Sequence, residues 1–243
     1  MIQSFRETVD LWLDTALGDG IYISTPSANL NLLESSIKTS ILDKLYSFDE
    51  ITHIDTFRRA RVRSPNGPVQ VVSIDTTFKT FNRPNRFKSG DPENIWNTFK
   101  IGKSVVISEP FAFRNNIRTG DSLILNTKTG QQSFVVSGIY YDYSSSDGLV
   151  MIHHSIYKTL WEDTAISSAR LNLANTADIQ DTINKIHSST SNIQTLAIRS
   201  DIELKHAALE VFDRSFTITS VMRTITIVIA FVGVLGALLS LQI

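Results

Sequence analysis

The sequence predicts an α+β fold: a split βαβ-type domain with an inserted small antiparallel β-rich subdomain, followed by a long stalk or transmembrane helix. Three observations support this class. Strand–helix–strand patterns occur near both ends of the chain, strands joined by turns fill the middle, and a helical pattern runs from Asp201 into a terminal apolar segment. The predicted boundaries are residues 1–60 and 150–205 for the α+β domain, 61–149 for the β-rich subdomain, 201–222 for the stalk helix and 224–243 for the transmembrane helix.

The N-terminal part predicts a helix, a strand and a second helix. An apolar stripe over residues 1–17 ends at Gly18, which is typical of a helix that stops at glycine. The segment GIYIST then alternates between apolar and polar residues, and Pro26 closes it as a short strand. Between Asn29 and Leu45, apolar residues recur at helical spacing, which predicts an amphipathic helix.

The middle of the chain predicts a hairpin, a loop and further strands. ITHIDTFRRARVRS and VQVVSIDTTF flank PNGP, a typical hairpin turn. Residues 79–102 are rich in Pro, Asn and Gly, so they predict a long loop with one helical turn at PENIW. SVVISEPFAFRNN predicts a strand that leads into a short helix capped by Ser108 and Glu109, and TKTG joins two more strands.

The last third returns to alternating strands and helices. GLVMIHHSIYKTLW predicts a strand followed by a helix, and SSARLNLA predicts a strand. Residues 176–188 predict a helix capped by Thr176 or Asp178, and NIQTLAIRS predicts another strand. From Asp201 onward the apolar residues recur at helical spacing, so a helix of about 40 residues would be on the order of 60 Å long.

The terminal segment from Thr224 to Ile243 contains no charged residue. A helix of that length covers about 30 Å, the hydrocarbon thickness of a bilayer, and its small residues suit close packing in lipid. A membrane span is therefore favoured over a buried core helix. No basic flank follows Ile243, so we expect the chain to be truncated within a longer protein. The N-terminus has no signal-peptide pattern, so the chain is either cytosolic or exported by a signal outside this sequence.

Composition and missing motifs narrow the functional classes. The 243 residues carry a formal net charge of -1, which gives no basic field for nucleic acid. The chain has no cysteine, which excludes disulfides and thiolate chemistry. It also lacks the P-loop, the dinucleotide-binding glycine motif and the common zinc and serine hydrolase motifs, so a soluble enzyme is disfavoured. We therefore expect no catalytic residue, cofactor site or metal site in this chain.

Several polar residues are candidates for a functional role. His153 and His154 are adjacent, and neighbours on a strand point to opposite faces, so they are not expected to share a metal. In residues 78–88, basic and aromatic residues alternate, for which a solvated loop or a protein contact is favoured over nucleic-acid binding. Arg59, Arg61 and Arg63 share one face of a predicted strand; that face could meet an acidic partner or lipid headgroups, or could simply be solvated.

Three blocks of the sequence together resemble ABC transporter permeases of the FtsX/MacB/LolC type. They are MIQSFRETVDLWL, the stretch from VVISEPFAFRNNIRTGDSLIL to GLVMIHHSIYKTLWED, and ALEVFDRSFTITSVMRTITIVIAFVGVLGALLSL. The resemblance covers essentially the whole chain. It implies a large extracytoplasmic domain between the first and second membrane helices, with the first span just upstream, the second following VFDRSFTIT, and two further spans after Ile243.

The resemblance also implies a transport role for the whole protein. It implies localisation to the inner membrane, a cytoplasmic ABC ATPase that binds ATP, a second permease copy, contact with membrane lipid, and a periplasmic adaptor as a further partner. ATP energy would move the extracytoplasmic domain by mechanotransmission. The family's substrates include lipids, lipoproteins, peptides and drugs, and some members activate cell-wall hydrolases. The sequence does not indicate which of these substrates or roles applies to this chain.

Two alternatives remain at the level of sequence. In the first, residues that join the domain to the membrane transmit motion through the stalk; the candidates are Phe212, Arg214, Phe216 and Arg223. In the second, the chain is a cytosolic binding domain held to a membrane by a C-terminal tail anchor, which would need no export signal. Ordinary packing of an amphipathic helix would place the same four residues in the stalk without any coupling role.

Overall fold

The structure is a computed structural model that describes residues 9–11, 13, 17, 19–26, 36–65, 67–83, 86–102, 104–142, 145 and 147–240. Within the last helix, the side chains at 212, 215–221 and 235–240 lie outside this description. The chain divides into two units, which are treated separately: residues 15–201, and residues 1–14 together with 202–243.

The described residues form ten strands and seven helices. The strands are β1 (Ile21–Ser24), β2 (Ile51–Ser64), β3 (Gly67–Asp75), β4 (Phe87–Ser89), β5 (Ser104–Ser108), β6 (Ser122–Thr127), β7 (Gly130–Tyr140), β8 (Val150–His153), β9 (Ser168–Leu173) and β10 (Ala197–Ser200). The helices are α1 (Thr39–Leu45), α2 (Phe78–Phe81), α3 (Pro92–Ile101), α4 (Glu109–Asn115), α5 (His154–Trp161), α6 (Ile179–Thr190) and α7 (Asp201–Ser240).

A mixed sheet runs through the unit of residues 15–201, in the order β10-β1-β9-β2-β3-β8-β5-β7-β4, with β6 also paired to β7. At one end, β10, β1, β9 and β2 pair antiparallel. With α1 and α6 this is the ferredoxin-like order, in which each half of the chain supplies two strands and one helix. The predicted α+β class, with a domain built from both ends of the chain, is confirmed.

Apolar residues from both ends of the chain pack into one core at that end of the sheet. Ile21 and Ile23 of β1 are fully buried against Ile41 of α1, Leu171 of β9 and Ile186 of α6. Burying side chains of this size contributes roughly 1.5–3 kcal/mol each, which favours the pairing of segments far apart in sequence. The hydrophobic face of the amphipathic helix α1 thus finds its partner in residues near the other end of the chain.

The strands between β2 and β9 complete the sheet and include two parallel pairs, β3 with β8 and β5 with β7. The inserted region is therefore mixed rather than purely antiparallel. Apolar residues on its two faces form two further cores, one around Val105, Val150 and Tyr157 and the other around Phe81, Phe99 and Val106. One continuous sheet crosses the predicted boundaries near residues 60 and 150, and those boundaries stay predictions.

The described residues of the segment 79–102 form helices and a strand, so the prediction of a long loop there was wrong, although the predicted helical turn at PENIW lies within the longer helix α3. They contain part of α2, the strand β4 and the whole of α3. The Asp91 side chain accepts a hydrogen bond from the Asn94 N–H at 2.9 Å, and Gly102 ends α3 with φ of +83°. Ile95 and Phe99, buried on one face of α3, supply the apolar contact that a loop would lack.

The predicted caps were correct for α6 and incomplete for α4. Asp178 accepts a hydrogen bond from the Asp181 N–H at 2.8 Å, as expected for the N-cap of α6. Ser108 occupies the N-cap position of α4, but its hydroxyl makes no capping hydrogen bond. Instead it accepts the Leu149 N–H at 2.8 Å and thereby ties β5 to the start of β8. A buried backbone N–H needs a partner, which explains the difference.

The other unit contains most of α7. Lys205 of this helix forms an ion pair with Asp10 at 2.9 Å. The large apolar side chains described between residues 222 and 234 are exposed: Met222, Ile225, Ile227, Val228, Ile229, Phe231, Val232 and Val234. Across the described residues, no helix has both the length and the apolar character of a bilayer span. The predicted transmembrane helix at 224–243 is therefore not confirmed, and the stalk at 201–222 stays a prediction.

Candidate functional site

The four residues predicted to couple the domain to the membrane all lie in α7. Arg214 and Arg223 are exposed on this helix. The side chains of Phe212 and Phe216 lie outside the described part of the structure. The coupling role of all four residues therefore stays a prediction.

The first residue of α7 is held by four hydrogen bonds that the sequence did not predict. Both Nε and Nη2 of Arg170 donate hydrogen bonds to Oδ2 of Asp201, at 2.9 and 2.7 Å. The Gly20 N–H donates to the same oxygen at 3.1 Å, and the Asp201 N–H donates to the Gly20 carbonyl oxygen at 2.9 Å. We call this group of Gly20, Arg170 and Asp201 the helix anchor.

Neighbouring strands position the helix anchor. Arg170 lies on β9 opposite Tyr22 of β1, while β1 pairs on its other edge with β10 up to Ser200. The contact between Gly20 and Asp201 therefore extends the β1–β10 ladder by one residue at the point where the helix begins. A Cβ on Gly20 would come within 2.6 Å of the Leu171 carbonyl oxygen, so glycine is required for this close approach.

The helix anchor is a buried ion pair at a helix N-terminus. Asp201 is 1% exposed and Arg170 is 8% exposed, so each charge depends on the other for its stabilisation. A carboxylate in the first turn also interacts favourably with the helix dipole. The arrangement has no catalytic chemistry: it fixes the position of the first residue of α7 on the sheet. The sequence signal was Asp201 itself, an acidic residue after a strand, but nothing local pointed to Arg170.

A second buried carboxylate, Asp55 of β2, is contacted by three side chains. It accepts hydrogen bonds from Thr76 Oγ1 at 2.6 Å and from Asn172 Nδ2 at 2.8 Å. Nε2 of His53 lies 3.2 Å from Oδ1, the oxygen that also accepts from Thr76, whereas Asn172 donates to Oδ2. Because Asp55 is fully buried and each of its oxygens accepts a hydrogen bond, it stabilises the β2–β9 pairing rather than offering a reactive group.

A third carboxylate, Asp163, links β2 to α5. Its Oδ2 accepts hydrogen bonds from Arg58 Nε at 2.8 Å and from the Tyr157 hydroxyl at 3.1 Å. Burial alone would raise the pKa of Asp163, but the Ala165 N–H and Arg58 outweigh it and lower that pKa. Burial, with the nearby charge of Asp163, raises the pKa of Tyr157 to about 12. The phenol thus stays a neutral hydrogen-bond donor.

His153 and His154 make separate contacts. Nδ1 of His153 accepts the Ser155 N–H at 3.3 Å at the start of α5, whereas Nδ1 of His154 lies 2.9 Å from the hydroxyl of Ser73. Burial lowers the pKa of both imidazoles. Ser73 is fully buried, so the pair cannot present a nucleophile to a substrate. Among the described residues, no group of three His, Cys, Asp or Glu side chains could hold a metal ion.

The basic residues between 78 and 88 include one that faces inward. Arg86 lies 5.7 Å from the ring centroids of both Phe81 and Tyr140, a cation–π geometry, and donates a hydrogen bond to the Thr80 carbonyl oxygen. Burial lowers the pKa of Arg86 and raises that of Tyr140. Lys88 pairs with Glu109 of α4. Arg86 and Lys88 thus help to hold this segment against the sheet.

The comparisons with known proteins agree with this architecture. No protein-family model matches the chain. The chain is 27% identical over 245 residues to an uncharacterised ABC transporter permease of Mycobacterium tuberculosis, a match that covers 100% of this chain and 29% of that protein. The chain therefore spans less than a third of the length of this relative.

The fold is that of the periplasmic region of MacB from Actinobacillus actinomycetemcomitans, with a TM-score of 0.56 at 12% identity. That match covers 78% of this chain and 92% of the MacB chain. A further similar structure is the extracellular domain of the noncanonical ABC-type transporter YknZ from Gram-positive bacteria, at a TM-score of 0.49 and 11% identity, covering 75% of this chain and 98% of that one.

These findings make the chain similar in sequence to a permease and similar in fold to the periplasmic region of MacB. The resemblance to ABC transporter permeases that the sequence predicted is confirmed by the match to a permease along the whole chain. The MacB-like fold confirms the predicted α+β class. The tail-anchored binding domain is not favoured, because the relative is a transport subunit several times longer than this chain.

Proposed function

We propose that this chain is the extracytoplasmic domain of an ABC-type permease subunit and couples cytoplasmic ATP hydrolysis to export or extraction of a lipid, lipoprotein, peptide or drug. The observation that carries the proposal is the combination of a MacB-like periplasmic fold with similarity to a permease over the entire chain. The work on the substrate is mechanical: α7 transmits movement between the membrane domain and the sheet.

The proposed partners follow from this role. A cytoplasmic ABC ATPase binds and hydrolyses ATP, and this chain itself binds no cofactor. The permease acts as a dimer in the inner membrane, in contact with lipid, and a periplasmic adaptor binds on the extracytoplasmic side. Nucleic acid is no partner, because the net charge of -1 provides no basic field for it.

The helix anchor supports mechanical coupling. A helix transmits force only if its end is fixed, and Asp201 is fixed by a buried ion pair to Arg170 and by backbone hydrogen bonds to Gly20. The helical segment that follows contains no proline and no glycine before Gly233, so no residue of intrinsically low helix propensity interrupts it. Movement applied along α7 would therefore reach β9 and β1 with little loss.

The test compares two insertions after Phe212 in the full-length permease, assembled with its ATPase in lipid nanodiscs. Gly-Gly weakens the helix, because glycine is less favourable than alanine in a helix by about 1 kcal/mol per residue. Ala-Ala adds the same length and rotation and keeps the helix propensity. Because this chain has no cysteine, Gln131→Cys gives one spin label per copy here. The distance between the two labels is then measured with and without ATP.

We expect ATP to shift the label distance in the unmodified protein and in the Ala-Ala variant, and to shift it much less in the Gly-Gly variant. Equal shifts in both insertion variants would contradict rigid transmission through α7. Absence of any ATP-dependent shift in the unmodified complex would contradict the coupling role itself. Once a substrate is identified, transport of its labelled form should be retained in the unmodified protein and in the Ala-Ala variant and reduced in the Gly-Gly variant.

A further inference from the structure

Three arginines project from one face of the long strand β2, within the unit of residues 15–201. Arg59, Arg61 and Arg63 occupy alternate positions of the strand, so their side chains leave the same face of the sheet. All three are exposed, whereas Val62, which faces the other way, is buried in a core with residues of β6 and β7. We call Arg59, Arg61 and Arg63 the arginine row.

The neighbouring strands do not balance the charge of the arginine row. The hairpin register places its members opposite Val72, Gln70 and Pro68 of β3, none of which is charged. Strand β6, which contributes to the same core as Val62, has the sequence SLILNT and carries no charge either. Among the residues that the structure describes, no carboxylate forms an ion pair with any member of the row.

The acidic side chain in the adjoining groove is already compensated. Arg61 lines this groove, which lies between the β2–β3 hairpin and α4, together with Asp147 and Arg114. Nη1 of Arg114 donates a hydrogen bond to Oδ1 of Asp147 at 2.8 Å, so these two charges balance each other. The row is therefore a local excess of positive charge on a chain whose net charge is -1.

The spacing and chemistry of the arginine row define a linear, acceptor-rich ligand. Alternate residues of an antiparallel strand are about 7 Å apart, so three guanidinium groups follow one line over about 14 Å. A guanidinium has five hydrogen-bond donors and no acceptor, and it binds phosphate or carboxylate through two parallel hydrogen bonds. A matching ligand carries negative charge at repeated positions along a chain.

The surface around the row favours a phosphate polymer over a protein or a bilayer. No residue of β2 or β3 is among the exposed large apolar side chains of the described structure, so this face lacks the anchors that protein partners and membrane-inserting surfaces use. The backbone groups between β2 and β3 pair with each other, so the amides of an acidic peptide lying across this face would find no backbone partners. A phosphate chain has no such amides.

We propose that the arginine row binds a soluble, linear phosphate polymer, with successive phosphate groups on Arg59, Arg61 and Arg63. The amide of Gln70, directly opposite Arg61, donates a further hydrogen bond to the phosphate in the middle. The proposal does not rest on the transport role. It requires only that the hairpin is folded as described, so it can fail while the coupling experiment succeeds, and the reverse also holds.

The experiment titrates an end-labelled linear polyphosphate with the full chain and measures fluorescence anisotropy, at about 0.15 M salt to screen long-range attraction. Replacing all three residues of the row by glutamine should weaken binding by about ten-fold or more, because three charge-assisted contacts are lost. It should also reduce the slope of log affinity against log salt by about 2, since roughly 0.7 counterions are released per phosphate contact on a single-stranded polyanion. Replacing them by lysine keeps the charge but loses the paired hydrogen bonds, so this variant should bind with intermediate affinity.

The matched control replaces Arg118, Lys158 and Arg199 by glutamine. These residues are exposed, lie outside the β2–β3 hairpin and form no ion pair with another described residue, so the control removes the same net charge from scattered positions. The control should bind like the unmodified chain. An equal loss in both triple variants would overturn the proposal in favour of unspecific attraction. Far-UV circular dichroism checks that all variants are folded.

Three further results would overturn the proposal. The first is failure of the unmodified chain to bind polyphosphate. The second is equally tight binding of polyglutamate with the same number of charges, which would make the ligand an acidic peptide. The third is binding to vesicles of three parts phosphatidylcholine and one part phosphatidylglycerol that depends on the row, without binding to the soluble polymer, which would make the ligand a lipid surface.

Discussion

Single residues determine where α7 begins and what holds it. Asp201 ends the β1–β10 ladder and receives the guanidinium of Arg170, while Gly20 leaves the space in which these groups meet. None of these residues belongs to a recognisable motif, and Arg170 is 31 residues away from Asp201 in sequence. The helix anchor could therefore not be predicted from the sequence, because its chemistry depends on which strands lie side by side.

Asp201→Asn should lower the free energy of unfolding by about 3 kcal/mol or more, because it leaves the buried guanidinium of Arg170 without its counter-charge. Urea denaturation followed by circular dichroism measures the effect. Asp181→Asn is the control: its carboxylate is 61% exposed and pairs with Lys185 across one helical turn, so the loss should stay below about 1 kcal/mol. Equal losses in the two variants would contradict a buried, energetically important pair.

His153 and His154 predict a loss of stability in mild acid. Burial lowers the pKa of both in the folded chain below the value of 6.5 for a free histidine. Below that pH the unfolded chain binds more protons than the folded one, so stability is full above pH 6.5 and falls as pH drops toward the folded-state values. Urea midpoints recorded between neutral and mildly acidic pH should show this decrease.

Replacing both histidines by asparagine should flatten that pH dependence, since asparagine does not titrate and can still accept the hydrogen bond of Ser73. His187→Asn, at an exposed position in the last turn of α6, serves as the control for the loss of an imidazole. If the double variant keeps the full decrease, other groups are responsible and the interpretation of these two residues is wrong.

At the scale of elements, local patterns predicted most strands and helices but not the segment 79–102. Its polar composition predicted a loop, but its aromatic residues pack together and stabilise the segment. The ring of Phe81 lies 5.3 Å from that of Phe99 and 5.0 Å from that of Trp96. The pattern that would have revealed α3 was Asp91 followed by Pro92 and closed by Gly102, a capped helix of ten residues. The ordering of α2 and β4 depends on tertiary contact and leaves no such signal.

Phe99→Ala should therefore cost about 3–5 kcal/mol of unfolding free energy, because it opens a cavity in a fully buried aromatic cluster. Phe113→Ala makes the same chemical change at an 88% exposed position and should alter stability by no more than about 0.5 kcal/mol. Chemical denaturation of both variants provides the comparison. A small effect at Phe99 would mean that α3 contributes little to the fold, as the original loop prediction implied.

At the scale of the whole molecule, the sequence predicted the class and the split architecture, but not the order of the strands. The strand–helix–strand patterns near the two ends were visible, and their mutual packing into one domain followed from the need of each to bury an apolar face. Local patterns do not contain the pairing of β1 with both β9 and β10, or the parallel pairs β3–β8 and β5–β7. These registers arise from contacts between segments separated by much of the chain.

The position of β1 between β9 and β10 also constrains the timing of folding as the polypeptide is made. Ser24 pairs with Ser168 and Ala197, so a newly synthesised β1 has neither neighbour until nearly the whole domain has emerged. At translation rates of about 5–20 residues per second, this delay lasts on the order of ten seconds. During this time β1 has no neighbouring strand. Its isoleucines, which are buried in the folded domain, have no core to pack against. The last strand, β10, is therefore the one that completes the sheet around β1.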